Sequence, residues 1–189
     1  MTERIIVALT GATGQLYGVR ALELLVETDQ ETHLIYSNAA GLTLRQETEY
    51  ELSDLEDLAN ETHSVKNIGA RTASGSFRTA GMLVVPCSMK TLSNIAHGNS
   101  GNLITRSADV VLKERRPLVL MPREKPFNRI HLENMLTVTD AGGIICPPFP
   151  SFYQGITDMD EMITRTVARA LSLMDVEISF DEWEGLEDW

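Results

Sequence analysis

Phosphate-binding residue types recur directly after the apolar runs of this sequence, and the first group is Thr10-Gly-Ala-Thr-Gly14. It follows the apolar run Ile5-Ile-Val-Ala-Leu9 and precedes a stretch with helical spacing, Gln15 to Glu27. Backbone N–H groups at the start of a helix bind anions, and glycine lets an anion approach the backbone closely. We therefore predict a phosphate site at this glycine loop, with a tight turn that binds no ligand as the alternative.

The spacing of the glycines argues against two common nucleotide motifs. Gly11, Gly14 and Gly18 fit neither a P-loop, which requires Gly-Lys-Ser/Thr, nor the dinucleotide fingerprint. A dinucleotide site also has an acidic residue at the end of its second strand to bind the ribose, whereas this chain has Ser37 there. A hydroxyl donates to a phosphate and a carboxylate repels it. The sequence thus favours a mononucleotide with its phosphate near Ser37 over NAD.

A second polar group, Pro86-Cys-Ser-Met-Lys-Thr91, follows the apolar run Met82-Leu-Val-Val-Pro86 and opens a predicted helix. It offers two hydroxyls, an ammonium group and the N–H groups of a helix start, which suit a phosphate or the polar edge of a flavin. The alternative is a helix cap with a surface lysine.

Apolar runs alternate along the chain with stretches of helical spacing, which predicts strands alternating with helices. This pattern is typical of an α/β fold with a three-layer, doubly wound parallel sheet. Ligands in such folds lie at the carboxyl ends of the strands, where the polar groups above are expected to meet. Residues 50–63 are acidic and polar, and we predict a surface stretch there. The predicted strands are Ile5–Leu9, His33–Tyr36, Met82–Pro86, Leu118–Met121 and Gly143–Cys146; the other predicted helices are Asn38–Glu47, Met89–His97, Asn102–Arg115, Arg129–Ala141 and Thr157–Met174.

Length and charge limit the function classes. The 189 residues fit a single domain, residues 1–189, with an acidic tail at about 176–189. A net charge of −11 argues against a nucleic-acid partner, which requires a basic face. The acidity indicates either adaptation to high salt or an ordinary acidic enzyme. In both cases the few cations of a protein that binds anions are expected in its site.

No apolar run approaches the roughly 20 residues of a membrane span, and the N-terminus has no signal-peptide pattern, so we expect a cytoplasmic protein. Cys87 and Cys146 are too few for a disulfide scaffold, and we expect buried free thiols. We expect no metal: Asp158-Met-Asp-Glu161 is more simply a helix start, and no His/Cys spacing suggests zinc.

Five segments together identify a family resemblance that extends from about Ile5 to Met174. They resemble the UbiX/Pad1 flavin prenyltransferases, and the block from Arg106 to Leu136 is the most specific part. The five segments are Thr72-Ala-Ser-Gly-Ser76, Pro86-Cys-Ser-Met-Lys-Thr91, Ala108-Asp-Val-Val-Leu-Lys-Glu-Arg-Arg-Pro-Leu-Val-Leu120, Arg123-Glu124 and Ile130-His-Leu-Glu-Asn-Met-Leu136.

The resemblance implies a Rossmann-like flavoprotein fold and a metal-independent prenyltransferase. Members bind reduced flavin mononucleotide (FMN) and dimethylallyl monophosphate, and they join the prenyl unit to flavin N5 and C6. The prenylated FMN is then used by a decarboxylase of the UbiD type. The family is expected to be dodecameric, with active sites between subunits.

The resemblance also implies roles for individual residues. The FMN-binding residues match Gly11, Ala12, Thr13, Ser37, Ser88, Met89, Lys90, Thr91 and Arg123. The prenyl-phosphate cluster matches Arg106, Lys113, Glu124, Tyr153 and Arg169, and the buried glutamate of the family matches Glu47.

The chemistry explains why such residues are needed. Arg106, Lys113 and Arg169 can neutralise the charge that grows on a leaving phosphate. Glu47 and Glu124 are candidates to transfer the proton lost on ring closure, for which the departing phosphate is a further base. The residues taken alone also allow structural roles. Lys113, Arg115 and Arg116 could form one solvated helix face, and Glu124 could form an ion pair with Arg123. His131 is expected to have a structural role at the start of its helix.

Two other functions remain open on the residues alone. The first is a flavin-dependent cysteine decarboxylase, whose hallmark after the third predicted strand is closer to Pro-Ala-Ser-Ala-Asn-Thr. The second is a carrier that holds FMN or prenylated FMN without catalysis. The basic cluster argues against both.

Overall fold

Six parallel strands form one sheet in the order β3-β2-β1-β4-β5-β6. The structure is a computed structural model that describes residues 3–152, 155–178 and 185. The strand order reverses direction between β1 and β4, which is where ligands bind in doubly wound sheets. The strands are β1 Arg4–Leu9, β2 Glu31–Tyr36, β3 Glu61–Ser64, β4 Gly81–Cys87, β5 Leu118–Pro122 and β6 Ile144–Ile145.

The central strands are apolar because helices cover both faces of the sheet. All seven residues of β4 are buried, and β1 is buried from Ile5 onward. Ile5 and Val7 belong to one core and Ile6 to the other, as the alternation of side chains along a strand requires. The predicted α/β class and parallel sheet are confirmed.

Seven helices in the described residues form the two outer layers. Apolar residues of α1, α2, α3 and α7 complete one core, and those of α4, α5 and α6 complete the other. The helices are α1 Gln15–Val26, α2 Asn38–Glu47, α3 Leu52–Asp57, α4 Met89–Ala96, α5 Leu103–Lys113, α6 Arg129–Asp140 and α7 Met159–Ser172. Asp158 caps α7 by accepting from the Glu161 N–H at 2.9 Å, which confirms the predicted helix start.

Residues 50–63 lie mostly at the surface, as predicted, but they also contain α3 and the edge strand β3, which the sequence did not predict. The apolar signal is weak here: Leu55 is the buried residue of α3, and His63 is the buried residue of β3. Main-chain pairing with β2, in register from His33↔Glu61 to Tyr36↔Ser64, holds the strand instead.

Both cysteines are free thiols, as predicted, although they differ in burial. Cys87 is fully buried, and burial raises its pKa to about 12. Cys146 is half-buried, and burial also raises its pKa, with Arg169 acting in the opposite direction. Within the described ranges, no helix has the length and apolar character needed to cross a membrane.

Candidate active site

Hydrogen bonds join the carboxyl ends of β1 and β4 where the strand order reverses. The buried hydroxyl of Thr10 donates to the Pro86 carbonyl at 2.7 Å and accepts from the Ser88 N–H at 2.8 Å. On either side, Ser37 N–H donates to the Leu9 carbonyl at 3.0 Å, and the N–H of Arg123 donates to the carbonyl of Cys87 at 3.1 Å. The loops after β1, β2, β4 and β5 therefore meet at one edge, as the sequence predicted.

The glycine loop lies against the start of α2. A Cβ on Gly11 would lie 2.4 Å from the Ala39 Cβ, so this approach requires glycine. Ser37 caps α2 by accepting from the Ala40 N–H at 3.1 Å. Ser37 and the first turn of α2 thus offer a hydroxyl and a helix N-terminus beside the glycine loop, which fits a phosphate monoester.

Glu47, the last residue of α2, accepts two hydrogen bonds at the start of α1. Its Oε2 lies 2.8 Å from the Gly14 N and 3.0 Å from the Gln15 N. These N–H groups are therefore not available to a phosphate, contrary to the prediction for this helix start. The start of α2 also contacts the loop, at Ala39, and Glu47 connects the last turn of α2 to the same loop.

Gln15 is a site residue that the sequence reasoning missed. Its side chain is fully buried, and its Nε2 donates to the carbonyls of Thr10 at 2.8 Å and Ala12 at 2.7 Å. Its Oε1 is buried without a hydrogen-bond partner among the described residues. The available signal was an amide side chain directly after Gly14, on the buried face of a helix.

The predicted flavin-contacting segment at the start of α4 is ordered by its hydroxyls. Ser88 caps α4: the Thr91 N–H donates to its Oγ at 3.3 Å, and that Oγ donates to the Thr91 Oγ1 at 3.1 Å. Met89 is half-buried, whereas Lys90 is exposed. The helix start and both hydroxyls thus lie at the carboxyl edge of the sheet, as expected.

Arg123 lies beside the glycine loop. Its Cγ is 3.9 Å from where a Cβ on Gly14 would lie, and Tyr17 contacts the same position at 3.0 Å. Burial raises the pKa of Tyr17, while the nearby charge of Arg123 acts to lower it. A guanidinium group is therefore held at the edge that gathers Ser37 and Ser88.

Glu124 is exposed, and its carboxylate accepts from the Lys125 N–H at 3.0 Å. In the part of the chain that the structure describes, it forms no ion pair with Arg123, so the structural alternative weighed for this pair is not observed. His131 lies in the first turn of α6, where its N–H donates to the capping Asn128 at 2.9 Å. That position agrees with a structural role for this histidine.

The described members of the predicted prenyl-phosphate cluster form no contacts with one another within one chain. Arg106 lies near the start of α5 and pairs with Asp109 at 2.7 Å. Lys113 ends α5, about 10 Å further along the axis, and pairs with Glu114. Its Nζ lies 2.8 Å from where a Cβ on Gly75 would lie.

Lys113 therefore lies near the amino edge of the sheet, opposite the glycine loop. The α5 helix is followed by Pro117, whose carbonyl accepts from the Met82 N–H at the start of β4. The seven residues of β4 span about 23 Å, which separates the two edges. Lys113 and Ser37 thus lie toward opposite edges of the sheet within one chain.

Of the two remaining cluster residues, Arg169 is described by the structure and Tyr153 is not. Arg169 is exposed on α7, where its Nη1 donates to the Ser172 Oγ at 3.2 Å. Tyr153, predicted to bind the prenyl phosphate, lies outside the described residues.

Comparisons with known proteins agree with this geometry. A family model described as Flavoprotein matches residues 1–171. The flavin prenyltransferase UbiX of Neisseria meningitidis serogroup B is 49% identical over 189 residues, all of this chain and all of that protein.

Two solved structures are also similar over nearly the whole chain. AnUbiX (PadA1), in complex with FMN and dimethylallyl pyrophosphate, has a TM-score of 0.96 and 47% identity, covering 99% of this chain and 100% of that one. A dodecameric FMN-dependent UbiX-like decarboxylase from Escherichia coli O157:H7 has a TM-score of 0.93 and 45% identity, covering 96% and 100%.

Proposed function

The chain belongs to the flavoprotein family, among its UbiX flavin prenyltransferases, and we propose that it transfers a dimethylallyl group from dimethylallyl monophosphate to reduced FMN. The full-length identity to a flavin prenyltransferase carries this conclusion. The carboxyl edge of the sheet supports it, because Ser37, the glycine loop, Ser88 and Arg123 converge there.

The chain binds FMN at this edge. Its phosphate is expected against Ser37 and the first turn of α2, where a hydroxyl and a helix N-terminus are adjacent. The reduced flavin supplies the two nucleophilic atoms, N5 and C6, that accept the prenyl group. Gly11, Ala12 and Thr13 contact the flavin on one side in this proposal, and Ser88 to Thr91 with Arg123 contact it on the other.

The leaving phosphate requires positive charge, which we assign to Arg106, Lys113 and Arg169, with Tyr153 as a further donor. Arg binds phosphate through paired N–H groups, and Lys acts as a point charge. Because Lys113 lies at the amino edge of its own chain, we propose that it enters a site formed with a neighbouring copy. The protein is accordingly a homo-oligomer, and the solved dodecameric relative supports this assembly.

Glu47 and Glu124 are the proposed proton-transferring residues. Glu47 holds the N–H groups of Gly14 and Gln15, so its carboxylate lies at the glycine loop. Glu124 follows Arg123 and is exposed in one chain, which leaves it accessible to a ligand at a shared site.

The product is proposed to pass to a decarboxylase of the UbiD type, in the cytoplasm. The donor is proposed to be the monophosphate, although the solved relative AnUbiX was crystallised with the pyrophosphate. The two donors release different anions, so the leaving group is directly measurable.

Incubation of the protein with anaerobically reduced FMN and each donor tests the function. We expect a flavin heavier by one prenyl unit, with one orthophosphate released per product when the monophosphate is the donor. A cysteine decarboxylase would add no prenyl unit; in a parallel incubation with oxidised FMN and a peptide that ends in cysteine, it would reduce the flavin and release carbon dioxide. A carrier would return FMN unmodified, and either result would refute the proposal.

A further inference from the structure

Two histidines and a glutamate lie together on the neighbouring strands β2 and β3, away from the residues assigned to flavin chemistry. One nitrogen of His33, one nitrogen of His63 and a carboxylate oxygen of Glu61 all lie within 4.8 Å of one another. Across residues 3–152, 155–178 and 185, no other group of three His, Cys, Asp or Glu side chains reaches this proximity.

The strand register produces this cluster. His33 is directly opposite Glu61 in the parallel pair, and His63 lies two residues further along β3. Side chains two residues apart on a strand point to the same face, so all three converge on one side of the sheet edge. The sequence alone did not reveal the cluster, because thirty residues separate His33 from His63 and β3 itself was not predicted.

The tautomer of His33 follows from its neighbours. It is fully buried, and its Nε2 lies 3.1 Å from the Glu31 Oε1, to which the N–H donates. The Nδ1 therefore carries a lone pair, which faces the His63 Nε2 at 2.9 Å and the Glu61 Oε2 at 3.8 Å. A carboxylate on the far nitrogen of a histidine is the usual outer partner of a metal-binding imidazole.

A metal binds the neutral form of an imidazole, and burial of both rings favours that form. Burial lowers the pKa of His33, and the neighbouring His63 lowers it further. Burial also lowers the pKa of His63, against the opposing effect of Glu61.

We propose that His33 Nδ1, His63 Nε2 and one oxygen of Glu61 bind a divalent transition-metal ion, for which Zn²⁺ is the natural candidate. Imidazole and carboxylate are ordinary zinc ligands, and three protein ligands leave one position for water. The ion replaces the hydrogen bond between the two rings. His63 then carries its proton on Nδ1, which faces the Glu61 Oε1 at 3.5 Å, so no net proton is released.

One member of the cluster borders a cavity, and a neighbouring cation competes for its carboxylate. His63 lines an open cavity of about 520 Å³ together with Thr62 and Ser64, whereas His33 is fully buried. Arg71 pairs with the Glu61 carboxylate and competes with a bound cation. Its guanidinium already lies over the Phe77 ring, 5.4 Å from the centroid, and this contact can hold it when the ion takes the carboxylate oxygen.

Zinc titration of the full-length, chelator-treated protein, monitored by competition with a chromophoric chelator, tests the proposal. Wild type is expected to bind one Zn²⁺ per subunit. His63→Gln should abolish this binding, and Glu31→Gln should weaken it by roughly 10- to 100-fold. Arg71→Ala should tighten it by removing the competing cation. His97→Gln, at an exposed histidine directly after α4, is the control and should bind like wild type.

The Arg71 and Glu31 variants keep the test decisive where a histidine variant folds poorly, because both change residues that are not ligands. Absence of stoichiometric zinc binding in wild type would overturn the proposal. His33 and His63 would then form only the hydrogen bond between their rings. Equal affinity in wild type, His63→Gln and Arg71→Ala would also overturn it, since that result indicates adventitious surface binding.

Discussion

At the scale of single residues, two side chains fix the glycine loop from opposite sides. Gln15 donates to two loop carbonyls from within the core, and Glu47 accepts the N–H groups of Gly14 and Gln15 from α2. The loop geometry is thus set by an amide and a carboxylate rather than by its glycines alone.

Replacing Gln15 by Met should damage FMN binding and stability together. The variant leaves the buried carbonyls of Thr10 and Ala12 without a donor, which costs roughly 1–3 kcal/mol in unfolding free energy. We expect FMN affinity to fall about 10-fold, equivalent to about 1.4 kcal/mol. Denaturant unfolding and flavin fluorescence titration measure the two effects. Gln46→Met, at an exposed position of α2, is the matched control. Equal unfolding free energy and equal FMN affinity in the two variants would show that the hydrogen bonds from Gln15 to the loop do not matter.

Glu47→Gln separates a positioning role from a proton-transfer role. The amide oxygen can still accept from the two N–H groups, so FMN affinity should change little. Its loss of basicity should lower kcat by about 100-fold or more and alter the pH profile of turnover. Steady-state kinetics across pH tests this. A large loss of FMN affinity with normal kcat would assign Glu47 to loop positioning alone.

At the scale of elements, the contact between the glycine loop and α2 creates the proposed phosphate site. The sequence placed both elements correctly, since apolar β1 and β2 and the Ser37 cap all have clear local signals. It could not reveal that Glu47 takes the N–H groups of α1, because that depends on how α1 and α2 lie relative to each other.

Gly11→Ala should disrupt this contact. The new Cβ would lie 2.4 Å from the Ala39 Cβ, so α2 must move away from the loop. We expect FMN binding to weaken at least 10-fold, measured by fluorescence titration. Gly101→Ala, where a Cβ meets nothing within 4 Å, provides the control. Wild-type affinity in Gly11→Ala would show that the loop–α2 contact does not form the FMN site.

Elements with a strong apolar pattern were predictable, and elements held by main-chain pairing were not. The buried runs of β1 and β4 identified the sheet, whereas β3 has a polar sequence and is held by its register with β2. The basic residues of α5 are close in sequence, yet the helix places Arg106 and Lys113 toward opposite edges of the sheet. The assignment of both residues to one phosphate rests on the family resemblance and stays a prediction.

At the scale of the whole molecule, the position of Lys113 at the amino edge of the sheet is consistent with the proposed site between subunits. Several large apolar side chains are also exposed on one chain, including Ile130, Leu132 and Leu136 on α6. Exposed apolar groups of this kind suit contact with another copy. In an assembly, scarce cations of neighbouring copies can therefore surround one phosphate despite a net charge of −11 per chain.

Subunit complementation tests the shared site. Lys113→Ala and Arg123→Ala should each abolish turnover alone, whereas co-expressed chains should recover part of the activity. Recovery is expected because some sites combine an intact Lys113 from one chain with an intact Arg123 from another. Product-flavin formation by the purified mixed oligomer is the measurement, with each variant co-expressed with itself as control. No recovery from verified mixed oligomers would place both residues of a site in one chain.

A crystal structure of the assembled protein with FMN and dimethylallyl monophosphate is the most direct measurement. We predict the FMN phosphate at Ser37 and the start of α2, with the prenyl phosphate among Arg106, Lys113 and Arg169 contributed by more than one copy. A different result would contradict the assignment of these cations to the leaving phosphate: Lys113 and Arg169 would point into solvent in every subunit, away from both ligands.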